Sequence, residues 1–181
     1  RARESHAGGA AATPGPGGRR TVSRVTAVEG VGLHLGRPCR LEFHPAPPGA
    51  GIHFVRRDVP GAAPVPALVS VAVEAERRTQ LGTGPEALHT VEHVLAAVAA
   101  RQVDDLCISL DGPEPPIMDG SARPFVEALE AAAPVSHGGT VDWLALRRPV
   151  RVEDGESVYE ARPALGLTLD VSIDFAHPLV G

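Results

Sequence analysis

The chain has 181 residues, 43% of them apolar and 22% charged, with a formal net charge of −5. That is enough apolar material for one domain, or one domain and part of another. The 17 scattered basic residues and 3% aromatic content exclude a nucleic-acid footprint, and no apolar stretch approaches the roughly 20 residues of a membrane span.

Residues 1–20 are Ala, Gly, Pro and Arg with almost no large apolar side chain, a composition that reads as a disordered leader or linker. Their order lacks the basic-then-apolar pattern of a signal peptide, so the cytoplasm is the expected location, with no stable membrane insertion. From Thr21 to Val28 polar and apolar residues alternate as in a half-buried strand, and Gly30 to Gly36 turns the chain. Alternation resumes over Cys39–His44. A Pro/Gly turn at 45–51 leads to a further strand over Ile52–Arg57, and these strands are expected to pair antiparallel. Strands are also expected over Ala67–Val71 and Asp105–Asp111, the latter followed by a polar loop from Gly112 to Asp119. Cys39 and Cys107 lack any CxxC spacing and read as small buried hydrophobes of a reducing compartment.

Two helices complete the pattern. In the first, Thr90 is the expected N-cap, with Val91, Val94, Leu95 and Val98 on one apolar face. In the second, Ser121 caps, Pro124 sits in the first turn, and Phe125, Val126 and Leu129 face inward. The order predicts an α+β fold: a two-layer β/α sandwich, its antiparallel-rich sheet carrying two helices on one face. A first domain is expected over 21–135 and a loop-like boundary over Pro134–Gly139. Strands then restart over 138–181 as the truncated start of a second, similar domain, with a type I′ hairpin at Asp154-Gly155 and a third strand over Leu167–Phe175. The chain opens on Arg1 and closes just after that strand, so a fragment of a longer product is expected.

The chemistry concentrates at His89-Thr90-Val91-Glu92-His93. A neutral imidazole can hold Zn²⁺ and a neighbouring carboxylate can take a proton from water, which divides a hydrolysis between two side chains. The positive end of a helix dipole suits a carboxylate at that place. The same five residues match H-x-x-E-H, the inverted zincin signature, which needs His89 and His93 on one helix face and an acidic ligand on a second helix, where Glu127 and Glu130 look solvent-facing. A third reading is a non-catalytic α+β binding module in which Glu92 and His93 are ordinary first-turn residues. His34 lies in a Gly-rich turn, His44 and His53 read as strand surface, Ser121 is explained by capping, and Arg77, Arg78 and Arg123 read as solvated charges.

Five ordered runs taken together resemble the UDP-3-O-acyl-N-acetylglucosamine deacetylases, zinc enzymes of lipid A synthesis in Gram-negative bacteria. They are Gly30-Val31-Gly32-Leu33-His34 with Gly36, Thr79-Gln80-Leu81, Thr90-Val91-Glu92-His93, the 97–105 helix exit, and Pro116-Ile117-Met118-Asp119-Gly120-Ser121-Ala122 with Pro124-Phe125. Val152-Glu153-Asp154-Gly155, Ile173-Asp174-Phe175 and His177-Pro178 resemble the start of that family's second domain. The resemblance implies two α+β domains packed face to face around the active site, and zinc held by two His and one Asp. His93 matches one ligand and Glu92 the general base. Thr79 matches a residue of a strand lining the site, although Arg77 and Arg78 stand where smaller or more apolar residues are expected. A monomer is expected, and the resemblance implies that it acts on an acylated UDP-sugar, with the N-acetyl group leaving as acetate. The other His and Asp ligands, and a later His acting on the leaving amine, have no counterpart before Gly181, so this chain made alone is expected to bind zinc weakly and to be inactive.

Overall fold

The computed structural model describes residues 18–141 and 145–172. They belong to two compact units, one over 18–141 and one that includes 145–172. The first unit contains β1 (Arg19–Val22), β2 (Thr26–Val31), β3 (Pro38–Pro45), β4 (Ile52–Arg56), β5 (Val65–Pro66), β6 (Ala72–Val73), β7 (Gln80–Leu81), β8 (Leu88–His89), α1 (Glu92–Ala100), β9 (Leu106–Leu110), α2 (Arg123–Ala131) and β10 (Pro134–Gly138).

Its main sheet has the order β2-β3-β9-β4-β5. β3 and β4 are therefore not partners. β9, the most apolar of these strands, lies between them, antiparallel to β3 and parallel to β4. The chain reaches β9 through α1, the kind of helical crossover that a parallel neighbour requires. Register places Leu41 opposite Leu110, Phe43 opposite Ile108 and Phe54 opposite Ile108. Period-two alternation puts these side chains on one face, where they join Val94, Ala97 and Val98 of α1 and Phe125 and Leu129 of α2 in one buried cluster. Glu42, His44 and Ser109 belong to the opposite alternation, and there the His44 ring lies 2.8 Å from Ser109 Oγ. The two-layer α+β arrangement follows directly from that division of polar and apolar positions.

Several sequence expectations need correction. The strand over Thr21–Val28 is two strands broken at Ser23-Arg24, and β1 includes Arg19 and Arg20, so the leader-like composition ends earlier than residue 20; residues 1–17 lie outside the described residues. The 67–71 strand is instead a 3₁₀ turn over Val69–Val71 between the short strands β5 and β6. The loop over Pro134–Gly139 contains β10, which pairs antiparallel with β1. Pro134 is tolerated because it is the first residue of a strand in a two-stranded ribbon.

One buried carboxylate ties this ribbon to the main sheet. Asp105, fully buried, accepts hydrogen bonds from Arg19 Nε (2.7 Å) and Nη2 (2.7 Å), from the Gly51 N–H (2.7 Å) and from His137 Nε2 (2.9 Å). Burial pushes its pKa up, but the Arg19, Gly51 and His137 donors outweigh that and hold it well below the usual carboxylate range.

In the second unit β11 (Val150–Asp154) and β12 (Ser157–Ala161) form an antiparallel hairpin, with Asp154 opposite Ser157. Its two-residue turn has positive φ at Gly155 and not at Glu156, the pattern of type II′ rather than the expected I′. Val150, Val152, Val158 and Tyr159 are exposed. No strand forms over 167–172, and the rest of the expected third strand lies outside the described residues.

Candidate active site

Glu92 and His93 open α1, whose first turn leaves backbone N–H groups unpaired and so favours an anion. Both side chains are half-buried. Glu92 Oε2 accepts a hydrogen bond from the Thr79 N–H at 3.1 Å, so residues 13 apart in sequence meet where β7 begins. His93 has no hydrogen bond or ion pair among the described residues, which leaves its ring nitrogens available to a ligand.

Thr90 is not the N-cap. That position belongs to Val91, with no side-chain cap. Thr90 instead has a positive φ of 56°, and its hydroxyl donates to Glu114 Oε1 at 2.8 Å. Left-handed backbone at a β-branched residue costs about 1–3 kcal/mol and persists only where the surroundings impose it. Here they do: Thr90 and Glu114 are both buried, at 4% and 2% exposure.

Glu114 also accepts the His34 N–H (3.0 Å to Oε1, 3.1 Å to Oε2) and the Leu35 N–H (2.9 Å). Burial raises its pKa, yet the His34 and Leu35 N–H groups and the Thr90 hydroxyl prevail, and the net direction is down. Gly32 makes room for it, since a Cβ there would lie 2.4 Å from Glu114 Oε2. Sequence reasoning passed over Glu114 as part of a polar loop. The available signal was its setting in Pro113-Glu114-Pro115-Pro116, a stiff segment in which an acid is held rather than free to seek solvent.

The geometry separates His89 from His93. His89 ends β8, outside the helix, with the left-handed Thr90 between it and α1. The two rings therefore do not share a helix face, and the inverted zincin arrangement fails. Its acidic partners fail as well: Glu127 pairs with Arg123 at 2.8 Å and Glu130 with Arg101 at 3.0 Å. Burial and the nearby Arg78 charge push the His89 pKa down. Ser121 is not a nucleophile candidate either. Its hydroxyl donates to Asp119 (2.8 Å) and accepts the first N–H of α2, from Arg123 (3.1 Å), while Ala122 is the N-cap.

The family model for UDP-3-O-acyl N-acetylglycosamine deacetylase matches residues 19–181. The chain belongs to this family. It is 40% identical over 162 residues to a UDP-3-O-acyl-N-acetylglucosamine deacetylase of Myxococcus xanthus, covering 90% of this chain and 52% of that protein. It is also 41% identical over 162 residues to one of Shewanella baltica, covering 88% and 53%. A protein of Chlorobaculum tepidum named as a bifunctional LpxC/FabZ enzyme is 36% identical over 165 residues, covering 90% of this chain and 35% of that protein. The chain spans about half the length of the deacetylase relatives it matches.

A zinc site is implied by the family resemblance. Among the described residues no group of three or more His, Cys, Asp or Glu could hold a metal ion. His93, with an unengaged imidazole beside a carboxylate, suits one ligand of such a site but not a whole shell. Nor is any described helix long and apolar enough to cross a membrane.

Proposed function

We propose that this chain supplies the Glu92 and His93 half of a zinc-dependent amidohydrolase that removes the N-acetyl group of UDP-3-O-acyl-N-acetylglucosamine, in lipid A synthesis in the cytoplasm, as a monomer. The observation that carries the reading is the pairing at the start of α1: an imidazole without a partner among the described residues, next to a carboxylate that accepts the Thr79 N–H. The remaining ligands, a His and an Asp, would come from sequence beyond Gly181. Zinc held there would polarise the amide carbonyl and favour hydroxide at neutral pH.

This chain's own residues supply the base and one ligand. The Thr79 N–H engages one oxygen of Glu92, leaving the other oxygen to take a proton from the attacking water. Protonation of the leaving amine, which gives the free amine and acetate, would fall to the later His that the family resemblance implies. His93, adjacent in sequence, points about 100° away around the helix, and in a first turn the two side chains would still flank one ion.

The domain organisation belongs to the same proposal. The second α+β domain would begin later than the expected residue 138, after Val141, because Gly138 ends β10 and pairs with Arg19 in the first unit. Supporting this, the β11–β12 hairpin leaves Val152 and Tyr159 exposed, and an isolated hairpin is marginal in water.

The test is Glu92→Gln in the full-length gene product, with turnover of the acylated UDP-sugar and bound zinc both measured. Turnover should fall by orders of magnitude with zinc retained, because the base is lost and the ligand kept. Activity intact in both Glu92→Gln and His93→Ala would favour the binding-module reading.

A further inference from the structure

We propose that Glu114 is a positioning residue for the catalytic pair. It would act through Thr90 to hold the start of α1, and with it Glu92 and His93, in the working geometry. The inference rests on the deacetylase reading and extends it to a side chain that acts through Thr90 rather than on the reacting atoms.

Three observations converge. First, Glu114 is 2% exposed in a loop bounded by prolines, and its hydrogen-bond partners among the described residues are all in two segments, the 34–35 turn and Thr90. One of those partners, Thr90, stands two positions before Glu92. Second, Thr90 is held left-handed although it is β-branched, and its hydroxyl is anchored to Glu114. This backbone bend turns the chain out of β8 and starts α1 at Glu92, so releasing it would let Glu92 and His93 rotate together. Third, Gly32 leaves the space that the carboxylate fills. Four hydrogen-bond contacts pin the carboxylate, so it cannot yield to a Cβ there.

Glu114→Gln preserves shape but presents an NH₂ to a donor. Thr90→Val preserves shape but removes the hydroxyl. If both act through one hydrogen bond to place the helix start, each should lower kcat roughly tenfold to a hundredfold, the scale of a slight misplacement of catalytic groups. KM should stay within about twofold and zinc content should be unchanged. The double variant should be no worse than the weaker single, because the two losses are one loss. Thr90→Ser should retain nearly full kcat.

These measurements are made on the full-length gene product with zinc, against Glu92→Gln in the same preparation and with thermal melts of every variant. The inference is overturned if kcat per folded, zinc-loaded molecule is unchanged in Thr90→Val and Glu114→Gln, or if their effects multiply independently. Should Glu114→Gln fail to fold, the Thr90→Val and Thr90→Ser pair decides. If Glu92→Gln itself remains active, the deacetylase reading has failed. If Glu92→Gln is inactive while Thr90→Val is not impaired, only the positioning role has failed.

Discussion

Replacing Asp105 with Asn tests the polar clamp on which the β1–β10 ribbon depends. The substitution keeps the shape of the side chain, yet one carboxylate oxygen becomes an NH₂ that confronts donors from Arg19, Gly51 or His137. Breaking a buried, hydrogen-bonded ion pair on one side costs about 3–5 kcal/mol. The Arg19 side chain retains 20% exposure, so water relieves part of that and about 3 kcal/mol is expected. For a unit the size of 18–141, about 3–5 °C of Tm accompanies each kcal/mol, which gives a drop of roughly 10–15 °C at pH 7. The sign with pH is fixed by linkage. The folded-state pKa of Asp105 is depressed, so its contribution is complete above the unfolded value near 4 and is lost as pH falls toward the folded value. Melts of the 181-residue chain followed by circular dichroism should show a wide gap between wild type and Asp105→Asn at pH 7 and a narrower one at pH 3. A variant melting within about 1 °C of wild type at pH 7, or a gap that does not narrow in acid, would refute this account of the clamp.

Two further outcomes follow from the same packing. Cys39 is buried and its thiol is pushed up to about 12 by burial and by the nearby Asp111 carboxylate, so at pH 8 a thiol-specific disulfide reagent should label it only on unfolding; stoichiometric labelling within minutes in the native chain would contradict its placement. Phe125→Ala should destabilise the first unit by about 3–5 kcal/mol, because the fully buried ring joins α2 to the sheet and leaves a cavity, and a loss under 1 kcal/mol in urea titration would mean that α2 is not part of the core.

Much of this fold is legible locally. Cys39, Leu41 and Phe43 alternate with polar neighbours and lie on the buried face of β3, and Val94, Val98, Phe125 and Leu129 recur at helical spacing and are buried. What local pattern omits is partnership. Nothing in Cys107 or Ile108 shows that β9 inserts between β3 and β4, since either strand offers the same apolar face. Pro134-Val135-Ser136-His137-Gly138 reads as a loop because its strand character comes from pairing with β1, not from its own composition. The site divides similarly. Glu92 and His93 stand out by chemistry alone, whereas Glu114 acquires meaning only when folding brings it across 24 residues to Thr90. Thr90 misleads for a related reason: a threonine before an apolar run suggests a cap, and only the backbone shows that its hydroxyl is already committed elsewhere.

The central claim is that Glu92 is the base and His93 a zinc ligand in a deacetylase. The most direct measurement is single-turnover release of acetate from UDP-3-O-acyl-N-acetylglucosamine by the full-length gene product, with zinc quantified in the wild type, Glu92→Gln and His93→Ala. The account predicts wild-type turnover with bound zinc, loss of turnover with zinc retained in Glu92→Gln, and loss of both in His93→Ala. Undiminished acetate release by Glu92→Gln, or zinc bound to His93→Ala as tightly as to wild type, would contradict it.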